Sequence, residues 1–197
     1  MKKEKLRKTV FNSAWKIVEN EGIDRLNVRK IAKLSDCSLG SIYNAFENFE
    51  SLQLHINSAV LSDLFSNLRA VIKTGIERGD TLREIFRELG NAYIEFGNKN
   101  KFLWKAVFEH FPVEQVPEWY QKQTQEGIYQ ICEDLAKHFN ISVDEMKCKV
   151  GFFWASIHGM GAILLNRKME MVSDLFKDSS LNTYVEYCLE GLFPGGK

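Results

Sequence analysis

Apolar residues recur along this 197-residue chain at intervals of three and four, and almost nowhere at intervals of two. That period places them on one side of α-helices, and strand-like alternation is nearly absent. Leu6, Val10, Ala14, Ile17 and Val18 predict a first helix from about residue 4 to residue 21, closed by Gly22. Val28, Ile31 and Ala32 predict a short second helix. Ile42, Tyr43 and Phe46 give a short third one its apolar side. Leu52, Ile56, Ala59, Val60, Leu64, Leu68 and Val71 predict a long fourth helix, starting near Asn48 and ended by Gly75 and Gly79. Thr81 and Glu84 form a capping box ahead of the stripe Leu82, Ile85, Phe86, Leu89, Tyr93, Phe96, which Gly97 to Asn100 should break. A short helix follows with Leu103, Trp104, Val107, Phe108 and Phe111, then a loop from Pro112 to Pro117, then a longer helix from Tyr120 to Phe139. Ser142 and Glu145 read as a second capping box. The helix they open is apolar nearly all round over residues 150–165, which predicts burial on several sides. A last helix carries Leu181, Tyr184, Val185, Cys188, Leu189 and Leu192. The fold class is all-α.

The second and third helices carry the most specific pattern. Asn27 can cap the second helix, because its side-chain oxygen accepts from backbone N–H groups that lack a helical partner. Ser35-Asp36-Cys37 is a tight turn, where Asp tolerates the left-handed conformation, and Ser38 can cap the third helix. Leu39, Gly40, Ser41 and Asn44 face largely outward. Two short helices joined this way are a helix-turn-helix, whose second helix enters the DNA major groove.

Over roughly residues 5–55 the chain resembles the N-terminal domain of TetR-type transcriptional regulators. The matching features are Glu21-Gly22-Ile23, Ile31-Ala32, Cys37-Ser38, Ser41-Ile42-Tyr43 with Phe46, and Glu50 with Leu52. Two positions depart from the family. Asp36 stands where the family usually has Gly, and Phe49 stands where it usually has a Lys that touches DNA phosphate. The resemblance implies a homodimer formed by packing the last two long helices into a four-helix bundle. Trp154-Ala-Ser-Ile-His158-Gly159 resembles a Trp…His-Gly signature of one group of TetR-like C-terminal domains. The implied organisation is a helix-turn-helix DNA-binding domain over residues 1–47 and a helical effector-binding and dimerisation domain over residues 48–197.

Charge sharpens this picture. Net charge is zero, yet residues 1–35 hold ten Lys/Arg against four Asp/Glu, so they are six charges positive and the remainder six negative. A basic N-terminal segment on an acidic body suits a DNA-contacting surface. No Lys or Arg occurs between Lys33 and Arg69, which leaves the recognition helix itself uncharged. Arg29 and the arm carrying Lys2, Lys3, Lys5, Arg7 and Lys8 are the expected phosphate contacts, with help from the helix N-termini at Asn27 and Ser38. Tyr43 is expected to pack and to bond a phosphate. Ser41 and Asn44 are expected to read base edges, Leu39 a thymine methyl, and Gly40 completes the surface.

Cys37, Cys132, Cys148 and Cys188 are scattered without a C-x-x-C pair or metal-ligand spacing, which fits free thiols in a reducing cytoplasm and implies no metal and no cofactor. No signal-peptide pattern opens the chain, and the apolar run 150–165 is shorter than a membrane span. Nucleophile elbows, phosphate loops, H-E-x-x-H and paired apolar carboxylates are all missing, so an enzyme is not expected. Asp134 and His138 read as a solvated helix pair.

The aromatic residues of the middle of the chain admit two readings, plain core or the walls of a small-molecule site. As a site, the residues are Phe86, Tyr93, Phe96, Phe108, Trp119, Trp154 and His158, with His158 either a ligand-orienting group, a core side chain bonded to a neighbouring carbonyl, or a side chain packed at the dimer seam. The dimer seam is expected at Ile157, Gly161, Leu164, Leu181, Val185, Cys188 and Leu189. The function these readings converge on is a repressor that binds a palindromic operator as a homodimer and is released by a small apolar or aromatic effector. The alternative is a helical ligand-binding or protein-interaction module whose DNA-binding face has decayed.

Overall fold

Helix signals in the sequence become helices almost one for one in the computed structural model, which describes residues 2–109, 116–166, 168 and 181–195. Among these residues there are nine α-helices and no strand: α1 (Lys2–Glu21), α2 (Val28–Ser35), α3 (Leu39–Ala45), α4 (Phe49–Arg78), α5 (Leu82–Lys99), α6 (Lys101–Phe108), α7 (Glu118–Phe139), α8 (Val143–Leu165) and α9 (Leu181–Leu192). The chain divides into two units, Met1–Asp63 with Asn100–Thr124, and Leu64–Lys99 with Gln125–Lys197. The first unit is thus larger than the predicted 1–47 domain, because α6 packs on α1 and the beginning of α4 belongs to the same core.

In the first unit α1 is the spine. It packs against α2, α3 and α6, and buries Val10, Ala14, Ile17 and Val18 completely or nearly so. Ile31 from α2, Ile42 and Ala45 from α3, Phe46, Leu52 and Ile56 from α4, and Leu103 and Trp104 from α6 complete the core. Each large apolar side chain contributes roughly 1.5–3 kcal/mol by leaving water. That burial is what holds helices as short as α2 and α3, which would not persist alone.

In the second unit α5 packs against both α8 and α9, and α8 against α9. Phe86 sits at the centre, edge-on to Phe153 at 5.1 Å and to Phe193 at 5.4 Å between ring centroids. Arg83 and Arg87 of α5 both bond Glu186 of α9. The Arg87 guanidinium, helped by Arg83, holds the Glu186 carboxyl down at about 2. Thr81 and Glu84 make the predicted capping box, with the Thr81 N–H donating to the Glu84 carboxylate at 2.7 Å and Thr81 Oγ1 accepting from the Glu84 N–H at 3.3 Å. At α8, Ser142 accepts from the Glu145 N–H at 3.2 Å, while the Glu145 carboxylate lies 3.5 Å from Lys149.

Three boundaries differ from the sequence reading. Gly75 lies inside α4 and marks where Ile85 crosses it closely; Gly79, at φ +80°, is the true stop. Gly97 is buried inside α5, which runs on to Lys99 because tertiary packing outweighs the local preference against glycine. α8 has 23 residues and is long and apolar enough to cross a membrane by length and composition, although one face, with Met146, Phe153 and Ile157, is packed inside the chain. Phe111 and the Pro112 end of the predicted loop lie outside the described residues.

Candidate nucleic-acid interface and effector region

Local hydrogen bonds fix the helix-turn-helix. Asn27 Oδ1 accepts from the Lys30 N–H at 2.9 Å and starts α2. Asp36 closes α2 in the left-handed region (φ 48°, ψ 50°), a conformation that a glycine would adopt without steric cost. Ser38 Oγ accepts from the Ser41 N–H at 3.2 Å and starts α3. The two helices therefore hold their turn through caps as well as through Ile31 and Ile42.

α3 has only seven residues, and its inward face is Ile42 and Ala45, with Phe46 buried just beyond. The outward face carries Leu39, 46% exposed, Gly40, Tyr43, 51% exposed, and Asn44. Tyr43 was expected to share the apolar side with Ile42 and Phe46. One hundred degrees of helical rotation from Ile42 takes it outward, beside Leu39 at i,i+4. Ser41 is half-buried, and its hydroxyl lies 2.9 Å from that of Ser38, inside the cap. The Asn44 carboxamide has no hydrogen-bond partner among the described residues.

The cations divide into two groups. Lys3, Lys5, Lys8, Arg29 and Lys33 are exposed, with no ion pair among the described residues. Arg7 is committed elsewhere: its Nη2 donates to His55 Nε2 at 2.7 Å, and its guanidinium lies 4.9 Å from the centre of the Phe46 ring. That holds the Arg7 guanidinium against His55 and Phe46. Lys30 is likewise paired with Glu21 at 2.6 Å. The side chain of Lys2 lies outside the described residues.

His55 sits in a cluster that the sequence pattern does not reveal. It stacks on Trp119 at 4.5 Å and meets the edge of Phe46 at 5.5 Å. Since Arg7 can only donate, the facing His55 nitrogen must be an unprotonated acceptor. Burial first, and then Arg7, push the His55 pKa down, and Glu47 opposes them. Nothing in the i,i+3 pattern around His55 marks this, because the partners come from α1, from the residue that follows α3 and from α7.

The seven nominated effector residues do not form one cluster. Tyr93, Trp154 and His158 come together: the Tyr93 hydroxyl lies 2.7 Å from His158 Nδ1, and the Trp154 and His158 rings are 5.5 Å apart. Phe96 is half-buried in the same unit. Phe86 is fully buried between Phe153 and Phe193, so it offers no surface to a ligand. Phe108 packs on Trp104 at 5.0 Å, and Trp119 is occupied by His55; both belong to the first unit. An open groove of about 670 Å³ on the second unit is lined instead by residues of α7 and by Lys147, with Ile128 and Tyr129 exposed along it. Asp134 bonds Arg69 at 2.8 Å and is not a solvated pair with His138.

The seam residues also need correction. Ile157, Gly161, Val185 and Leu189 are buried in the chain's own core, Gly161 because Ile94 presses against it. They present nothing to a second copy. Leu164 and Cys188 are half-buried, and the Leu181 side chain lies outside the described residues. The apolar face that α8 leaves uncovered is a different stripe: Phe152, 55% exposed, with Ala155, Gly159 and Ile163. On α9 it is Tyr187, 68% exposed, next to Gly191.

Neither a family model nor a curated protein matches the sequence, and the likeness to known proteins lies in structure. FadR of Thermus thermophilus, a TetR-family transcriptional repressor solved with lauroyl-CoA, has a TM-score of 0.62 at 18% identity, over 96% of this chain and 94% of that one. FadR of Bacillus subtilis, a transcriptional regulator solved with stearoyl-CoA, has 0.59 at 16% identity, over 95% and 98%. A TetR-family transcription regulator of Marinobacter aquaeolei VT8 has 0.60 at 17% identity, over 96% and 97%. The chain has the fold of TetR-family transcription regulators.

Proposed function

We propose that the chain is a ligand-responsive, DNA-binding transcriptional regulator of TetR type, acting in the cytoplasm as a homodimer that represses from a palindromic operator. The carrying observation is the outward face of α3. Leu39, Gly40, Tyr43 and Asn44 are held out by two capped helices, and their side chains make no hydrogen bond among the described residues. Each subunit would place α3 in a major groove, with Lys5, Arg29 and Lys33 on phosphates. The dimer would form through the Phe152–Ile163 stripe of α8 and Tyr187 of α9, which supplies the apolar surface a four-helix seam requires.

The effector we propose is apolar or aromatic. Tyr93, Trp154 and His158 offer one hydrogen-bonded polar pair in an aromatic setting, and the two FadR neighbours carry fatty acyl-CoA. Binding would shift the population between two dimer geometries that present the recognition helices differently. The rival reading, a helical interaction module with a decayed DNA face, draws on the cation-free stretch from residue 34 to residue 68 and on the internal pairing of Arg7 and Lys30. A gel shift on a random-sequence DNA pool decides between them. Retention of a selected, salt-sensitive DNA supports the regulator. No retained DNA at any salt supports the module. A thermal-shift screen, with lauroyl-CoA among apolar and polar compounds and repeated on His158→Ala, tests the effector class.

A further inference from the structure

Guanine presents two acceptors, N7 and O6, to the major groove, and proteins read that edge mostly with bidentate Arg or Lys. α3 has neither, and no cation occurs anywhere from residue 34 to residue 68. Cytosine presents an amino donor that Asp or Glu reads. α3 holds no carboxylate, since Asp36 and Glu47 lie beyond its two ends. The nearby cations of α2 belong to the helix that, in this motif, crosses the backbone.

The groups that α3 does expose suit the other base pair. Leu39 and Tyr43 form an apolar stripe at i,i+4, both about half exposed. Gly40 and Asn44 form the next stripe. A side chain added at Gly40 would meet nothing but Ser38 Oγ, at 3.9 Å, so the groove floor can come close to the helix there. The thymine C5-methyl is the one apolar group on a major-groove edge, and adenine N6/N7 is the donor–acceptor pair that a free carboxamide fits. Ser41 is subtracted as a reader, because its hydroxyl is taken by Ser38.

Resting on the regulator reading above, we propose that the operator half-site is cored by consecutive A·T pairs, recognised through thymine methyls at Leu39 and Tyr43 and through adenine at Asn44. A four-residue separation spans ~6 Å of helix, about two base steps. The core is therefore two to three base pairs long.

The test selects bound DNA from a random pool with the full chain, then measures affinity by fluorescence anisotropy on chemically edited half-sites. Replacing dT with deoxyuridine removes only the methyl group. Replacing dA with 7-deaza-dA removes only N7. The selected half-sites should be A·T at their core. Deoxyuridine at one core position should weaken the wild type about four-fold, the burial of one methyl, and should weaken Leu39→Ala no further. The 7-deaza edit should cost about ten-fold in the wild type and nothing more in Asn44→Ala. Both residues are exposed, so circular dichroism should show the variants folded. Selection of G·C-cored half-sites, or edit losses that persist undiminished in the variants, overturns the proposal. A pool from which no DNA is retained overturns the regulator reading itself, and the half-site falls with it.

Discussion

Phe152 is the side chain whose truncation should separate two copies of this protein. It leaves 55% of its surface exposed on α8, on the stripe it shares with Ala155, Gly159 and Ile163. An aromatic side chain buries upwards of ~150 Å², so roughly 100 Å² of Phe152 remains to be covered. At ~25 cal/mol per Å² that is ~2.5 kcal/mol per copy, of which Phe152→Ala would forfeit about 2. Two-fold symmetry doubles the loss to about 4 kcal/mol, close to a thousand-fold in the dimer dissociation constant. The fold itself should survive, since the exposed part of the ring packs on nothing inside the chain. Sedimentation equilibrium across a concentration series reads the constant directly. A shift below ten-fold would mean that Phe152 faces water in the dimer, and the proposed seam would have to move to another surface.

Affinity for a selected operator should fall with salt at a log–log slope of about −5, as expected when Lys5, Arg29 and Lys33 of both subunits meet phosphate; a slope steeper than about −8 would reveal a further cationic surface. For His55, the folded pKa lies below the ordinary value near 6.5, so the unfolded chain binds the extra proton first. Stability should be full above about pH 6.5 and should fall as pH drops from there through the lowered folded value; melting curves between pH 7 and pH 5 should show that slope, and His55→Phe should flatten it. Gly127→Val should destabilise the second unit by about 2 kcal/mol, because the first added carbon would already lie 2.2 Å from the edge of the Phe65 ring; unchanged melting would place Phe65 elsewhere.

Helix order, caps and the turn were legible because each rests on residues close in sequence. Asn27, Ser38, Asp36 and the Thr81–Glu84 box are local hydrogen-bond chemistry, and they appear as read. Burial direction was legible only where one face of a helix is polar. α8 is apolar all round over residues 150–165, so the period could not say which stripe meets α5 and which stays exposed, and Ile157, expected at the seam, is buried in the core instead. α3 is short enough that Tyr43 could be assigned to either side. Arg7 was read as a free arm residue because its partners, His55 and Phe46, lie 48 and 39 positions away. The aromatic list failed similarly: type and spacing cannot distinguish Phe86, sealed between two rings, from Tyr93, bonded to His158.

The claim on which the rest depends is that two copies of α3 read one DNA duplex together. Hydroxyl-radical footprinting of the wild-type chain on a DNA selected from a random pool tests this directly. Two protected patches related by two-fold symmetry should appear on one face of the duplex, one helical turn (~34 Å) or a multiple apart, and both should be lost in Tyr43→Ala. A single patch, or protection that ignores sequence and survives Tyr43→Ala, would contradict it.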